Sequence, residues 1–147
     1  MKNTIIAFQG KSRAGKTSTI REFRNTLKKA YSNFKEQIFE EKNDIKTIIE
    51  IAYKGKTVKI GIESMGDPYS RLVTEKLKDF ISAKCDIIIC ACRTSGMTVN
   101  VINQVASENQ YNLIFTSPYI SSNNQDALNT LMAQHLLNLV EKQILND

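Results

Sequence analysis

The sequence predicts an α/β domain: a mainly parallel sheet of five strands, one of them an antiparallel hairpin strand, with helices on both faces. Three observations support this fold class. Apolar patterns typical of strands and of helices alternate along the whole chain, as in βαβ folds. Residues 86–92 are continuously apolar after Asp86 and too few for a helix, which indicates a strand buried in a parallel sheet. Two further strand-like runs are separated by only Lys54-Gly55-Lys56, a connection that fits an antiparallel hairpin alone.

The individual elements follow from local signals. The predicted strands are, in chain order, residues 4–8, 45–53, 57–62, 86–92 and 113–115. The predicted helices begin at Thr17, Pro68, Val99 and Gln125, the last of them ending near Leu145. Asp67 is the expected N-cap of the helix that starts at Pro68, and Ser122 with Gln125 resembles a capping box. The polar stretch 35–44 has no clear periodicity, so we assign no element to it.

The composition indicates one globular domain spanning residues 1–147. The hydrophobic fraction is 41% and the charged fraction 24%, both ordinary for folded proteins. No apolar stretch approaches the roughly 20 residues that span a bilayer, and the run 4–8 is too short for a signal peptide. Cys85, Cys90 and Cys92 lie in or beside one apolar run, which favours buried thiols over metal or redox chemistry. We therefore predict a cytoplasmic protein with reduced cysteines and no membrane span.

The formal net charge of +5 permits nucleic acid or an acidic protein as a partner without requiring either. Much of this charge lies on Arg21, Arg24, Lys28 and Lys29, at the spacing of one outer face of the first helix. Charged helix faces are usually solvated, so we expect these side chains to project into water.

The strongest signal lies between the first predicted strand and the first helix. It is a match to G-x-x-x-x-G-K-[ST] at every fixed position, in the segment Gly10-Lys11-Ser12-Arg13-Ala14-Gly15-Lys16-Thr17. The glycines let the backbone wrap so that successive amides point at phosphates, and the helix start, including Ser18, adds N–H groups and the positive end of the helix dipole. Lys16 then reaches the β- and γ-phosphates, and the Thr17 hydroxyl ligates Mg²⁺. The segment predicts a site for a nucleoside triphosphate with magnesium.

On these residues the chain resembles the P-loop NTPase superfamily, which implies a three-layer P-loop NTPase fold that binds Mg²⁺ with ATP or GTP. A hairpin followed by an acidic residue and x-x-Gly is similar to the layout of small Ras-like GTPases, in which a D-x-x-G loop senses the γ-phosphate. The matching residues here are Glu63-Ser64-Met65-Gly66. By that resemblance the Gly66 amide contacts the γ-phosphate. Glu63 either steadies Mg²⁺ through a water or polarises the attacking water, as strand-end glutamates do in many P-loop ATPases.

The sequence specifies the nucleotide base less well than it specifies the phosphate site. Guanine-specific members of the superfamily carry N-K-x-D after a late strand, whereas this chain has Phe115-Thr116-Ser117-Pro118-Tyr119 there. We therefore favour ATP over GTP.

Three more residues are candidates for the site. Arg13 matches the position of an internal arginine finger in some dynamin-related GTPases, where a guanidinium neutralises charge on the transferring phosphoryl group; the alternative is an arginine that faces solvent or a partner. Asp67 competes with Glu63 for the metal, although its capping role explains it as well. Arg93, directly after a buried strand, could clamp a phosphate or an acceptor substrate, or could bond loop carbonyls.

The leading hypothesis is a small magnesium-dependent NTPase that hydrolyses ATP, with GTP as the alternative, or that switches on binding it. Catalysis is assigned to Lys16, Glu63, Arg13 and Arg93. The metal is assigned to Thr17, Glu63 and Asp67. Two alternatives stay open: a small-molecule or nucleotide kinase, for which the chain lacks an arginine-rich lid, and a nucleotide-dependent binding module with negligible turnover that acts on nucleic acid or a protein partner.

Overall fold

Residues 2–10, 15–65, 70–93 and 97–146 are described by a computed structural model. They form one six-stranded sheet with helices on both faces. The strands are β1 (Thr4–Gln9), β2 (Lys35–Glu41), β3 (Ile45–Tyr53), β4 (Lys56–Glu63), β5 (Ile87–Cys92) and β6 (Asn112–Thr116). The helices are α1 (Lys16–Ala30), α2 (Ser70–Ser82), α3 (Met97–Glu108) and α4 (Gln125–Asn138), which continues as a π-helical segment, Leu139–Leu145.

The strand order across the sheet is β2-β3-β4-β5-β1-β6. β1 pairs in parallel with β5 and β6, and β4 pairs in parallel with β5. β3 is antiparallel to both of its neighbours, β2 and β4. The predicted α/β class is confirmed, but the sheet is a mixed one of six strands rather than five.

The strand that the sequence did not predict is β2, at one edge of the sheet. Its side chains are mostly exposed, and its register with β3 shifts between Ile38 and Glu40. An edge strand with solvent on several sides needs no alternation of apolar residues, and a bulge breaks the period of two. Both effects remove the signal by which a strand is recognised from its sequence.

Each face of the sheet has a core of its own. On one face Ile20, Phe23 and Leu27 of α1 pack with α4 against the sheet. On the other face Leu77 and Phe80 of α2 pack with α3. All three cysteines belong to this second core, where they are buried thiols as predicted. Successive side chains of β1 and β5 enter the two cores alternately, so these central strands belong to both.

Parallel pairing brings the carboxyl ends of four strands to one edge of the sheet. β4, β5, β1 and β6 end there at Glu63, Cys92, Gln9 and Thr116. Because β5 lies between β1 and β4 and neighbouring strands are about 4.8 Å apart, Glu63 lies roughly 10 Å across the sheet from β1. Ligands of α/β proteins bind beyond this edge, so it is the place to look for a site.

The final helix begins at Gln125 as predicted, but its N-cap is Asn124 rather than Ser122. The Gln125 side chain instead accepts a hydrogen bond from the backbone amide of Ser121 (2.9 Å). The predicted cap at Asp67 and Pro68 lies outside the described residues. In the part of the chain that is described, no helix is both long enough and apolar enough to cross a membrane.

Candidate functional site

The predicted site residues fall into two groups. Gly10, Gly15, Lys16, Thr17, Ser18, Glu63 and Arg93 are described and lie at or beside the carboxyl edge of the sheet. The remaining predicted positions lie outside the described residues: Lys11, Ser12, Arg13, Ala14, Gly66 and Asp67. The geometry of the first group decides which chemistry this edge can support.

The Lys16 ammonium group is held where β1, β5 and α1 meet. Its Nζ donates to the carbonyl oxygen of Gly10 at 2.7 Å and to that of Cys92 at 3.0 Å, and the residue is only 7% exposed. The Gly10 amide donates to the same Cys92 carbonyl (3.1 Å), which joins the ends of the two strands. A lysine is almost never this buried unless polar groups satisfy it. The fold therefore fixes one positive charge at the carboxyl edge.

Helix α1 begins at this charge with a glycine as its N-cap. Gly15 has φ of 78°, in the left-handed region that residues with a Cβ rarely adopt. A Cβ at this position would come within 3.3 Å of Gln125 Nε2 and 3.5 Å of Asn129 Oδ1 on α4. The backbone angle requires a glycine here, and a Cβ would also press on the end of the Gln125 side chain.

The amino end of α1 offers an electropositive surface. Gly15 has no side chain with which to cap the first turn, and that turn contains no acidic residue. The orphan N–H groups and the dipole of a helix start favour anions. Ser18 is exposed in this turn, while Thr19 is turned inward and donates to Asn129 (3.1 Å). The helix start and the ammonium of Lys16 thus both favour the binding of an anion.

Oxygen atoms of three side chains converge beside the start of α1. The hydroxyls of Thr17 and Ser64 both donate to Asp44 Oδ1, at 3.1 and 2.9 Å respectively. Ser64 Oγ also accepts from the Ile45 amide, and the Ser64 amide donates to the Ile45 carbonyl. The turn between β2 and β3 is therefore joined to the end of β4, and its carboxylate is presented to Thr17.

Asp44 is a residue that the sequence analysis missed. The stretch 35–44 has no clear periodicity, so the sequence analysis assigned no element and no site residue to it. The predicted topology nevertheless indicated Asp44. Because β3 was predicted to run antiparallel to its hairpin partner, the first residue of β3 must lie at the carboxyl edge. An acidic residue directly before such a strand is placed at the site by topology.

Glu63 is completely buried at the end of β4. Its carboxylate accepts hydrogen bonds from the backbone amides of Met65 (3.1 Å) and Ala91 (3.3 Å). It therefore links the ends of β4 and β5 and orients the chain that leaves β4. Its role at the metal or the attacking water stays a prediction. Arg93 follows β5 directly, half-buried at the same edge.

The basic face of α1 is the clearest correction to the sequence analysis. Arg24 is only 7% exposed, with its guanidinium 2.8 Å from Glu36 and 2.6 Å from Glu41 on β2. Lys28 pairs with the other oxygen of Glu36 at 2.9 Å. We call these four residues the α1–β2 ion cluster. The expectation of a wholly solvated face was wrong because β2, which was not predicted, covers that face.

Electrostatics within the α1–β2 ion cluster favour the ionised form of Glu36. Burial alone would raise its pKa, but hydrogen bonds from Lys28 and Thr47 and the charge of Arg24 outweigh burial and lower the pKa below its usual range. One turn closer to the site, Arg21 donates to the carbonyls of Lys42 and Asn43. Polar contacts thus hold β2 and the following turn along α1.

Comparison of the sequence with models of protein families, with curated proteins and with solved structures finds no match in any of the three. The function of this chain is therefore inferred from its own residues and their geometry.

Proposed function

We propose that this chain binds a nucleoside triphosphate with Mg²⁺ where β1 runs into α1 and that it hydrolyses the γ-phosphate. The observation that carries the proposal is the buried Lys16 ammonium, which the Gly10 and Cys92 carbonyls hold at the start of α1. A fixed cation beside the amino end of a helix favours the binding of phosphate. The motif from Gly10 to Thr17 supplies both features at the spacing that nucleotide phosphates need.

The side chains beside Thr17 fit magnesium. Mg²⁺ prefers hard oxygen ligands and is usually bound through one or two carboxylates together with substrate phosphates and waters. Asp44 Oδ1 lies within hydrogen-bond distance of two hydroxyls, those of Thr17 and Ser64. Among the residues described, no group of three or more acidic, histidine or cysteine side chains could hold a metal by itself. A site completed by the phosphates of the nucleotide accounts for both observations.

When bound, Mg²⁺ would neutralise charge that develops on the phosphates. In this proposal Thr17 and Asp44 hold the ion, and Lys16 stabilises the β- and γ-phosphates. Glu63 orients water or the metal from the end of β4. Arg13, Arg93, Gly66 and Asp67 retain the roles that the sequence predicts, with ATP favoured over GTP.

Nucleotide affinity and turnover test the proposal. We expect labelled ATP to bind in the presence of Mg²⁺ and to be hydrolysed, and we expect Lys16→Ala to weaken binding by about tenfold or more, because charge-assisted hydrogen bonds are worth about 1.5–3 kcal/mol. Lys29→Ala is the matched control, since Lys29 is an exposed lysine on the same helix. Parallel assays with GTP determine the base.

Three other outcomes are informative. Equal affinity of both variants, or no binding by the unaltered chain, would refute a nucleotide site at Lys16. Tight binding without hydrolysis would remove the hydrolase part and favour a binding module. ATP consumption that begins only when an acceptor is added would favour a kinase.

A further inference from the structure

Part of the sheet is left uncovered on the face that carries α2 and α3. Ile48 packs in the core of that face, so Glu50 and Ala52, two and four residues on, face the same way. The Phe80 ring of α2 lies directly over Gly61, where a Cβ would come within 2.7 Å of it. Beyond this contact, the residues of β2 and β4 that pair with Glu50 and Ala52 on this face are exposed or half-exposed. We call the uncovered residues the open sheet face: Lys35, Gln37, Phe39, Glu50, Ala52, Thr57 and Lys59.

The open sheet face contains two adjoining cavities. One, of about 350 Å³, extends from Asn33 to Thr57, and the other, of about 190 Å³, extends from Gln37 to Ala83. Lys35 and Glu50 line both of them. Together they form a shallow trough that crosses β2, β3 and β4 rather than a closed pocket. A trough of this kind suits an extended chain better than a compact small molecule.

The charge of the trough and its rim is positive. Lys35, Lys54 and Lys56 are exposed at the ends of the three strands. Two glutamates also line the trough, and both are offset: Glu36 pairs with Arg24 and Lys28, and Glu50 lies 3.8 Å from Lys59. The resulting surplus of lysine attracts a polyanion.

The open sheet face also presents an aromatic ring. Phe39 is 38% exposed at the bulge of β2, with the Lys46 ammonium 5.3 Å from its ring centroid. Lys46 in turn pairs with Asp79 at 2.5 Å. Exposed rings on a sheet stack on unpaired bases, whereas lysines around them contact the phosphates. The ring and the lysines together match the contacts that proteins make with an unpaired nucleic acid strand.

We propose that the open sheet face binds single-stranded nucleic acid, with phosphates along Lys35, Lys54 and Lys56 and one base on Phe39. A duplex keeps its bases stacked on one another and leaves Phe39 without a role. An interface with another protein generally has an apolar centre. The open sheet face is instead polar around the ring of Phe39. The face is separate from Lys16, so it works whether or not the nucleotide proposal holds.

Fluorescence anisotropy with a labelled 12-nucleotide RNA and the matching DNA tests the proposal. We expect the RNA and the DNA each to bind with a dissociation constant below about 100 µM at physiological salt. Reversing three charges, Lys35→Glu with Lys54→Glu and Lys56→Glu, should weaken binding at least tenfold. It should also lower the slope of log K against log salt by about 2, since each phosphate contact on a single strand contributes about 0.7.

The matched control reverses three exposed lysines elsewhere, with Lys29→Glu, Lys42→Glu and Lys142→Glu. We expect this variant to retain most of the affinity. Circular dichroism checks that each variant is folded. Absence of binding by the unaltered chain, equal loss in both triple variants, or equal affinity for a duplex of the same sequence would each overturn the proposal.

Phe39→Leu separates the stacking contact from the charges. It should weaken binding about fivefold or more without changing the salt slope, because a base stacked on an aromatic ring is worth about 1–3 kcal/mol by substitution. An unchanged affinity would overturn the contact between Phe39 and a base.

Discussion

At the scale of single residues, the edge where β1 meets α1 is defined by two charges that hydrogen bonds fix in place. Lys16 is held by two carbonyls from different strands, and Asp44 is held by two hydroxyls. In the proposed function, the fixed cation binds phosphate and the fixed anion binds the metal. The motif predicted the first of these residues, and only the chain path around β3 reveals the second.

Replacing Asp44 tests its role at the metal. We expect Asp44→Asn to raise the Mg²⁺ concentration needed for half-maximal nucleotide binding by about tenfold, because one charge-assisted contact is lost while the shape of the side chain is kept. The measurement is a Mg²⁺ titration at fixed labelled ATP. Asp126→Asn, at an exposed aspartate of α4, is the control for the general loss of one negative charge. Equal shifts in the two variants would contradict a specific role for Asp44.

At the scale of elements, β2 depends on ion pairs rather than on apolar burial. Its side chains are mostly exposed, and Glu36 and Glu41 join it to Arg24 of α1. Sequence patterns detect elements through apolar periodicity, so the other strands and the helix starts at Gln125 and near Lys16 were predictable. β2 was not, because its attachment consists of contacts between residues distant in the chain.

The pH dependence of stability tests the α1–β2 ion cluster. We expect Glu36→Gln to lower the free energy of unfolding at pH 7 by about 1–3 kcal/mol, the cost of leaving buried charged partners unsatisfied. The pKa of Glu36 is lowered in the folded state, so its contribution is present above the unfolded value and is lost as the pH falls through the folded value, below about pH 4.

Urea unfolding from pH 7 to pH 3 should therefore show the two proteins converging at the acidic end. Glu40→Gln, at an exposed glutamate of the same strand, should follow the unaltered chain throughout. A difference between Glu36→Gln and the unaltered chain that is independent of pH would show that the side chain stabilises by packing rather than by charge.

At the scale of the whole molecule, the two cores are joined through the central strands. Ile5 and Ile88 enter the core beneath α2 and α3, whereas Ile6 and Ile87 enter the core beneath α1 and α4. Neither core can lose its packing without disturbing β1 and β5. We therefore expect one cooperative unfolding transition, as is usual for a chain of this length.

Gly61→Ala tests this cooperativity. The added Cβ would meet the Phe80 ring at 2.7 Å, and overpacking of this kind costs about 1–3 kcal/mol. Far-ultraviolet circular dichroism and tyrosine fluorescence should report the same lowered urea midpoint, because the strain in one core is transmitted to the other. Separate midpoints for the two signals would contradict a single cooperative unit.

The contact between Lys16 and the Cys92 carbonyl has a consequence for how the protein is made. These residues are 76 positions apart in the chain, so a ribosome must release β5 before the lysine can reach its final position. Until then the amino-terminal segment carries the whole motif but not the geometry that the motif needs. In the proposed function, the emerging chain therefore binds nucleotide only after its central strands have paired.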